Sequence, residues 1–121
     1  MTASPHPTEI RIRRAAKTLE VDFNDGSRVS LPAELLRVES PSAEVQGHAP
    51  DQKQTVAGKR GVNIMAVEPI GNYAVRIRFT DGHDTGIYTW VVLHQLGREQ
   101  DARWTAYLAA VAEKGLSRDP S

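Results

Sequence analysis

Two Asp-Gly dipeptides, Asp25-Gly26 and Asp81-Gly82, each close a run of alternating apolar and polar residues. Leu19, Val21 and Phe23 alternate with Thr18, Glu20 and Asp22 before the first. Tyr73, Val75, Ile77 and Phe79 alternate with Ala74, Arg76 and Arg78 before the second. Strict alternation puts one set of side chains on each face of a strand, and glycine supplies the positive φ a tight turn needs. Both segments therefore predict β-hairpins, with Arg28–Leu31 and Thr85–Tyr88 as the returning strands.

The rest of the chain attaches to these hairpins. Glu9–Arg13 reads as a short strand after a polar, proline-containing lead-in over 1–8. Pro32 opens a helical turn to Val38 that Leu35 and Leu36 anchor. Glu39–Val62 is irregular, and Val62–Val67 reads as a buried strand that Pro69 ends. Thr89 is the expected N-cap of a helix from Trp90 to Leu96, with Gly97 as its stop. In Glu99–Lys114, Trp104, Tyr107, Leu108 and Val111 form one helical stripe that predicts packing on the sheet. The expected fold is α+β: a small, mainly antiparallel sheet built from two hairpins, with a C-terminal helix packed on it. One domain spans 9–116, and 117–121 is a tail.

Composition narrows function by exclusion. Among 121 residues there is no cysteine, which removes disulfides, thiolate metal sites and cysteine nucleophiles. Fifteen basic residues balance 15 acidic ones, so general electrostatic capture of nucleic acid or anionic membrane is not expected. No apolar run is long enough to span a bilayer, and Met1–Pro7 has no signal core, so the expected location is cytoplasmic.

Candidate polar sites are few. His83-Asp84 sits beside Asp81, a pairing that could serve acid–base chemistry, but no nucleophile stands next to it in sequence. Neighbouring residues on a strand also face opposite ways. A metal could take His83 with His48 or His94 and a carboxylate, yet no histidine pair has a tight ligand spacing. Glycines flank Lys59-Arg60, which would suit an anion, without the spacing of a phosphate-binding loop. Tyr88 and Trp90 could line a groove with Arg76 or Arg78, or form a core edge. The candidate binding surface is thus Lys59, Arg60, Arg76, His83, Asp84, Tyr88 and Trp90, with no catalytic residue, cofactor or metal assigned.

Several of these segments together resemble a known domain. Asp25-Gly26, Leu31-Pro32, Leu35-Leu36-Arg37, Gly71-Asn72-Tyr73-Ala74-Val75 and Asp81-Gly82-His83 through Tyr88, Trp90 and Leu93 look like the domain at the N-terminus of gamma-butyrobetaine hydroxylase and its relatives. Bacteria also carry it as a stand-alone protein of unknown function. The resemblance covers about Ile10 to Leu116. In the hydroxylases it implies a zinc site made by C-x-C-x-x-C and the histidine of Asp-Gly-His; here those positions read Ser40, Ser42, Val45 and His83. Serine is a poor zinc ligand and valine is none, so the zinc is not carried over. The hydroxylases' oxygenase chemistry lies in a separate downstream domain, for which this chain has no room and no H-x-[DE] element. Fusion of the domain to iron–sulfur carrier ATPases in other architectures implies an accessory role, linked to iron–sulfur or cofactor metabolism, with an unidentified protein partner. The alternatives are an anion- or small-molecule-binding domain using Lys59, Arg60 and His83, and a degenerate metal site using His48 and His83. Oligomeric state stays open, because an unpaired edge strand could pair with a copy of itself.

Overall fold

The computed structural model describes residues 4–47 and 52–120. It contains a first antiparallel sheet in the order β1 (Pro7–Arg13), β2 (Thr18–Phe23), β3 (Arg28–Pro32). Leu19, Val21, Phe23 and Leu31 point inward and are buried. The Asp25-Gly26 turn forms as its sequence predicts: Gly26 has φ +84°, and Asp25 Oδ1 accepts from the Ser27 amide at 2.9 Å. Pro32 ends β3 and stands at the N-cap of α1 (Ala33–Val38), which buries Leu35 and Leu36 completely. A short helix, α2 (Ala43–Gln46), interrupts the stretch that sequence left irregular.

The second sheet has the order β4 (Ile64–Ile70), β5 (Ala74–Phe79), β6 (Ile87–Thr89). β4 runs past Pro69, which pairs with Val75 instead of ending the strand. β4 is an outer strand, where a residue without an N–H is tolerated. Val75, Ile77 and Phe79 face inward as the alternation requires, but Tyr73 falls in the Gly71-Asn72 turn and is exposed. The α+β class holds, with the strands divided between two three-stranded sheets. One apolar core takes side chains from both sheets, from α1, and from Leu93 and Leu96 of α3 (Trp90–Arg98).

α3 begins where sequence placed it, with Thr89 Oγ1 accepting from the Val92 amide at 3.1 Å. Its end differs. Gly97 lies inside the helix, because α3 presses there on β3: a Cβ on Gly97 would sit 2.2 Å from Val29 Cγ1. Gly97→Ala is therefore expected to destabilise the protein. Overpacking costs about 1–3 kcal/mol and outweighs the roughly 1 kcal/mol that alanine gains in helix propensity. A lowered midpoint in urea would show it; an unchanged one would mean that Val29 yields freely.

α4 (Gln100–Glu113) does not pack on a sheet face as a simple stripe. Tyr107 and Val111 join Val38 and Val56 in a second small cluster, which half-buried Trp104 links to the main core. Leu108 stays exposed. The residues after α4 are docked on this cluster: Arg118 makes two 2.8 Å bonds to the Glu34 carboxylate and covers the Trp104 ring at 4.9 Å. Gly58 and Arg60 amides donate to the Ser117 and Arg118 carbonyls, both at 2.9 Å.

Candidate functional site

The Asp81-Gly82 turn determines where His83 goes. Gly82 takes φ +91°, Asp81 Oδ1 accepts from the His83 amide at 3.0 Å, and the His83 carbonyl accepts from Phe79 N at 3.0 Å. The ring folds back over Phe79, 6.0 Å between centroids, and is left 7% exposed. The chain leaving α1 meets it there. Ser40 Oγ lies 2.9 Å from His83 Nε2, and Ser42 Oγ 3.5 Å from the same atom. Ser42 is the N-cap of α2 but makes no side-chain cap bond, because its hydroxyl is turned toward the imidazole. On the other side, Glu44 Oε2 is 3.3 Å from Nδ1, and Glu44 Oε1 accepts from Thr85 Oγ1 at 3.3 Å.

Burial holds the His83 pKa below its ordinary 6.5, and the Arg37 charge lowers it further against the opposing pull of Glu44 and Asp81. The imidazole is neutral at pH 7. The network assigns its proton to Nδ1, donating to Glu44, and leaves Nε2 to accept from the Ser40 hydroxyl. Beside it, Asp81 Oδ2 receives Lys59 Nζ at 2.6 Å and Arg37 Nε at 2.8 Å. Burial alone would raise the Asp81 pKa; Lys59, the His83 amide and Arg37 hold it down to about 2. Arg37 Nη1 is buried without a hydrogen-bond partner among the described residues.

Ser40, His83 and Glu44 stand in the order of a hydroxyl, its base and an orienting carboxylate. Nucleophilic chemistry also needs space for an electrophile at the hydroxyl, and there is none. Ser40 is 0% exposed, and a Cβ on Gly86 would lie 2.5 Å from its Oγ, so the hydroxyl is pressed against the Gly86 backbone. The residues do not fit the zinc that the hydroxylase resemblance raises. Two hydroxyls and the apolar Val45 are not zinc donors, and the imidazole lone pair is already taken by a direct 2.9 Å bond. Among the described residues no three His, Asp or Glu side chains group as metal ligands. The cluster is a closed hydrogen-bonded clasp between the segment after α1 and the β5–β6 turn.

The sequence-predicted surface does not assemble as one patch. Tyr88 is fully buried, its hydroxyl donating to the Leu36 carbonyl, so it lies beneath the surface and not on it. It is a core residue because β6 turns it toward the inner face of the sheet. His83 is buried as well. Lys59 is taken by Asp81, while Arg60 pairs with Asp119 at 2.7 Å. Arg76 and Arg78 share Glu68, and Asp84 is 3.9 Å from Arg78. His94 pairs with Asp25 at 2.9 Å, and His48 lies outside the described residues. Trp90 is half-buried, its Nε1 donating to the Asn72 carbonyl at 2.8 Å. Tyr73, whose carbonyl accepts from the Trp90 amide at 3.1 Å, is 54% exposed; Val91, next along α3, is 52% exposed, and Ile87 of β6 is exposed as well. Glu44 and Arg37 escape the sequence reading as parts of the His83 cluster, since they come from different segments and no motif spacing joins them to the turn that holds His83 and Gly86.

The gamma-butyrobetaine hydroxylase-like, N-terminal family matches residues 10–94. Two proteins with NMR solution structures are similar over nearly the whole chain. One is 44% identical, with TM-score 0.84 and coverage of 98% of this chain and 94% of the other. The second is 45% identical, with TM-score 0.84 and coverage of 99% and 92%. A crystal structure of a protein of unknown function in the DUF971 family, from Acidithiobacillus ferrooxidans, is 41% identical with TM-score 0.67, covering 78% of this chain and 98% of that one. No curated protein matches. Among the described residues no helix is long and apolar enough to cross a membrane.

Proposed function

Since this chain belongs to the gamma-butyrobetaine hydroxylase-like N-terminal domain family, we propose that it works as a non-enzymatic protein-interaction module. The observation that carries this reading is the apolar surface around Trp90. Tyr73 and Val91 expose about half of their surface beside a tryptophan. Nearby, Arg76 Nη2 and Arg78 pair with Glu68 and Trp90 Nε1 donates to the Asn72 carbonyl, while Arg76 Nε is buried without a partner among the described residues. Exposed aromatic and aliphatic side chains grouped at one edge are what a protein partner buries. The buried, satisfied clasp at His83 supports the same reading, because a group closed to solvent offers no substrate site. Iron–sulfur carrier ATPases, to which this type of domain is fused elsewhere, are the first partner class to test.

Photo-crosslinking from position 91 tests it. Wild-type surroundings are expected to give a discrete protein adduct, and Tyr73→Ser is expected to abolish it without changing the melting temperature by more than about 2 °C, as for a surface substitution. Absence of any adduct would sink the proposal. One observation favours an anion-binding alternative: two cations converge on the single carboxylate of Asp81, and Arg37 Nη1 is buried without a partner among the described residues. If inorganic phosphate raised the melting temperature and Lys59→Ala removed the rise, that alternative would replace the docking reading.

A further inference from the structure

β1 is an outer strand, and the phase of its hydrogen bonds can be worked out. Lys17 O accepts from Ala33 N and Phe23 N donates to Ser27 O, so the odd-numbered residues of β2 bond toward β3. Backbone groups alternate in direction along an antiparallel strand, and β2 has no register shift against β3. Thr18, Glu20 and Asp22 therefore bond toward β1, where their partners are Arg13, Arg11 and Glu9. That leaves the N–H and C=O groups of Ile10 and Ile12 aimed away from the sheet, with no backbone or side-chain partner among the described residues. Both isoleucines are only half-buried, packed at the rim of the core.

We infer that this edge pairs with a second copy of the chain, antiparallel, about a two-fold axis at Arg11. A β-bulge between Pro7 and Glu9 limits the regular segment at one end, and the turn after Arg13 limits it at the other. The register centred on Arg11 is the symmetric one that uses all five residues between those limits. It sets Ile10 opposite the partner's Ile12 in the hydrogen-bonded positions, and Glu9 opposite the partner's Arg13. Each pair occurs twice by symmetry. The Arg11 side chains meet at the axis, where like charges would repel, but each is already held by Glu20 and Asp22 of its own sheet at 3.0 Å. Charged residues usually protect an edge from pairing. Here their signs are placed so that a copy of the same strand is the complementary partner. Glu9 and Arg13, bound within their own sheet to Arg11 at 2.8 Å and Glu20 at 3.1 Å respectively, stay more than half exposed and can share those charges with each other across the axis. The two three-stranded sheets would join into one of six strands, and the isoleucine pairs would complete their burial. This edge is separate from the Trp90 surface, and the inference does not depend on the partner proposed there.

Sedimentation equilibrium of the whole chain, from about 10 µM to about 1 mM, tests it in the range expected of a single strand-edge contact. A monomer–dimer equilibrium is expected. Glu9→Arg should weaken it at least about fivefold, because two attractive cross-strand pairs become repulsive. Glu9→Arg combined with Arg13→Glu should restore it, since the swapped charges again face each other. Circular dichroism of each variant checks that the monomer is folded. A wild-type protein that stays monomeric throughout, alone or while its β1 edge accepts an extended segment of another protein, overturns the inference. So does a dimer indifferent to Glu9→Arg, or a double variant that fails to recover.

Discussion

His83→Ala is expected to lower folding stability by about 2–4 kcal/mol, the range for emptying a buried ring and stranding its hydrogen-bond partners. The ring is 7% exposed and lies against Phe79, so its loss leaves a void that the surrounding turn cannot fill. Ser40 Oγ is buried and would lose its 2.9 Å bond to the ring, keeping the Ser42 amide at 3.3 Å and the neighbouring Tyr88 hydroxyl. The clasp also fixes α2, whose N-cap residue spends its hydroxyl on the imidazole, so hydrogen exchange should quicken over Ala43–Gln46 before it does elsewhere. The measurement is urea unfolding of wild type and variant at pH 7.5, with a chelator added to a parallel series. Chelator should not move the wild-type midpoint, because hydroxyls and not thiolates face the ring. A cost below about 1 kcal/mol, or a wild-type midpoint that falls with chelator, would remove the clasp as a stabilising element.

The same ring gives stability a pH dependence whose sign is set by linkage. Its folded pKa is depressed below the ordinary 6.5, chiefly by burial and then by Arg37. The unfolded chain then binds the proton more readily, so stability is full above about 6.5 and is lost as the pH falls through the folded pKa. Protonation removes the lone pair that Ser40 donates into. Asp81 contributes separately and lower down: its stabilisation is present above its ordinary 3.8 and is lost toward about 2. In His83→Ala the upper step should vanish and the lower one remain.

Local patterns were legible because short-range sterics decide them. Asp25-Gly26, Asp81-Gly82 and Thr89 behave as their residue types require, with positive φ at both glycines and a side-chain cap on α3. Failures occur where a residue answers to something distant. Gly97 looks like a helix stop, but its missing side chain makes room for Val29 of β3. Pro69 looks like a strand end, but the strand is an edge. Tyr88 reads from sequence as either a groove wall or a core edge, and the fold decides for the core, where its hydroxyl finds the Leu36 carbonyl. The histidine of the candidate site could be picked out from one turn. Ser40 and Ser42 could be placed with it only through the family resemblance, and Arg37 and Glu44 not at all, since they reach it through the tertiary fold. Even the Lys59-Arg60 pair, adjacent in sequence, is divided in space, with one cation on Asp81 and the other on Asp119.

The C-terminal residues, which composition marks as a tail, carry the second large effect. Arg118→Ala is expected to cost about 2–4 kcal/mol, somewhat under the full penalty for breaking a buried ion pair because the guanidinium is partly exposed. Its partner decides the size: the Glu34 side chain is 8% exposed, lies on α1 against the core, and receives both of its hydrogen bonds from Arg118 at 2.8 Å. Removing the arginine leaves a buried carboxylate without a counter-ion. It also uncovers the Trp104 ring and loosens the strap in which Gly58 and Arg60 bond to Ser117 and Arg118. A double-mutant cycle with Glu34→Gln separates these contributions. If the carboxylate is the source, Arg118→Ala in the Glu34→Gln background should cost less than half as much as in wild type, since no charge is then stranded. Equal costs in both backgrounds would assign the effect to packing on Trp104 instead. A cost under about 0.5 kcal/mol, the range of ordinary surface changes, would return 117–121 to the status of a tail.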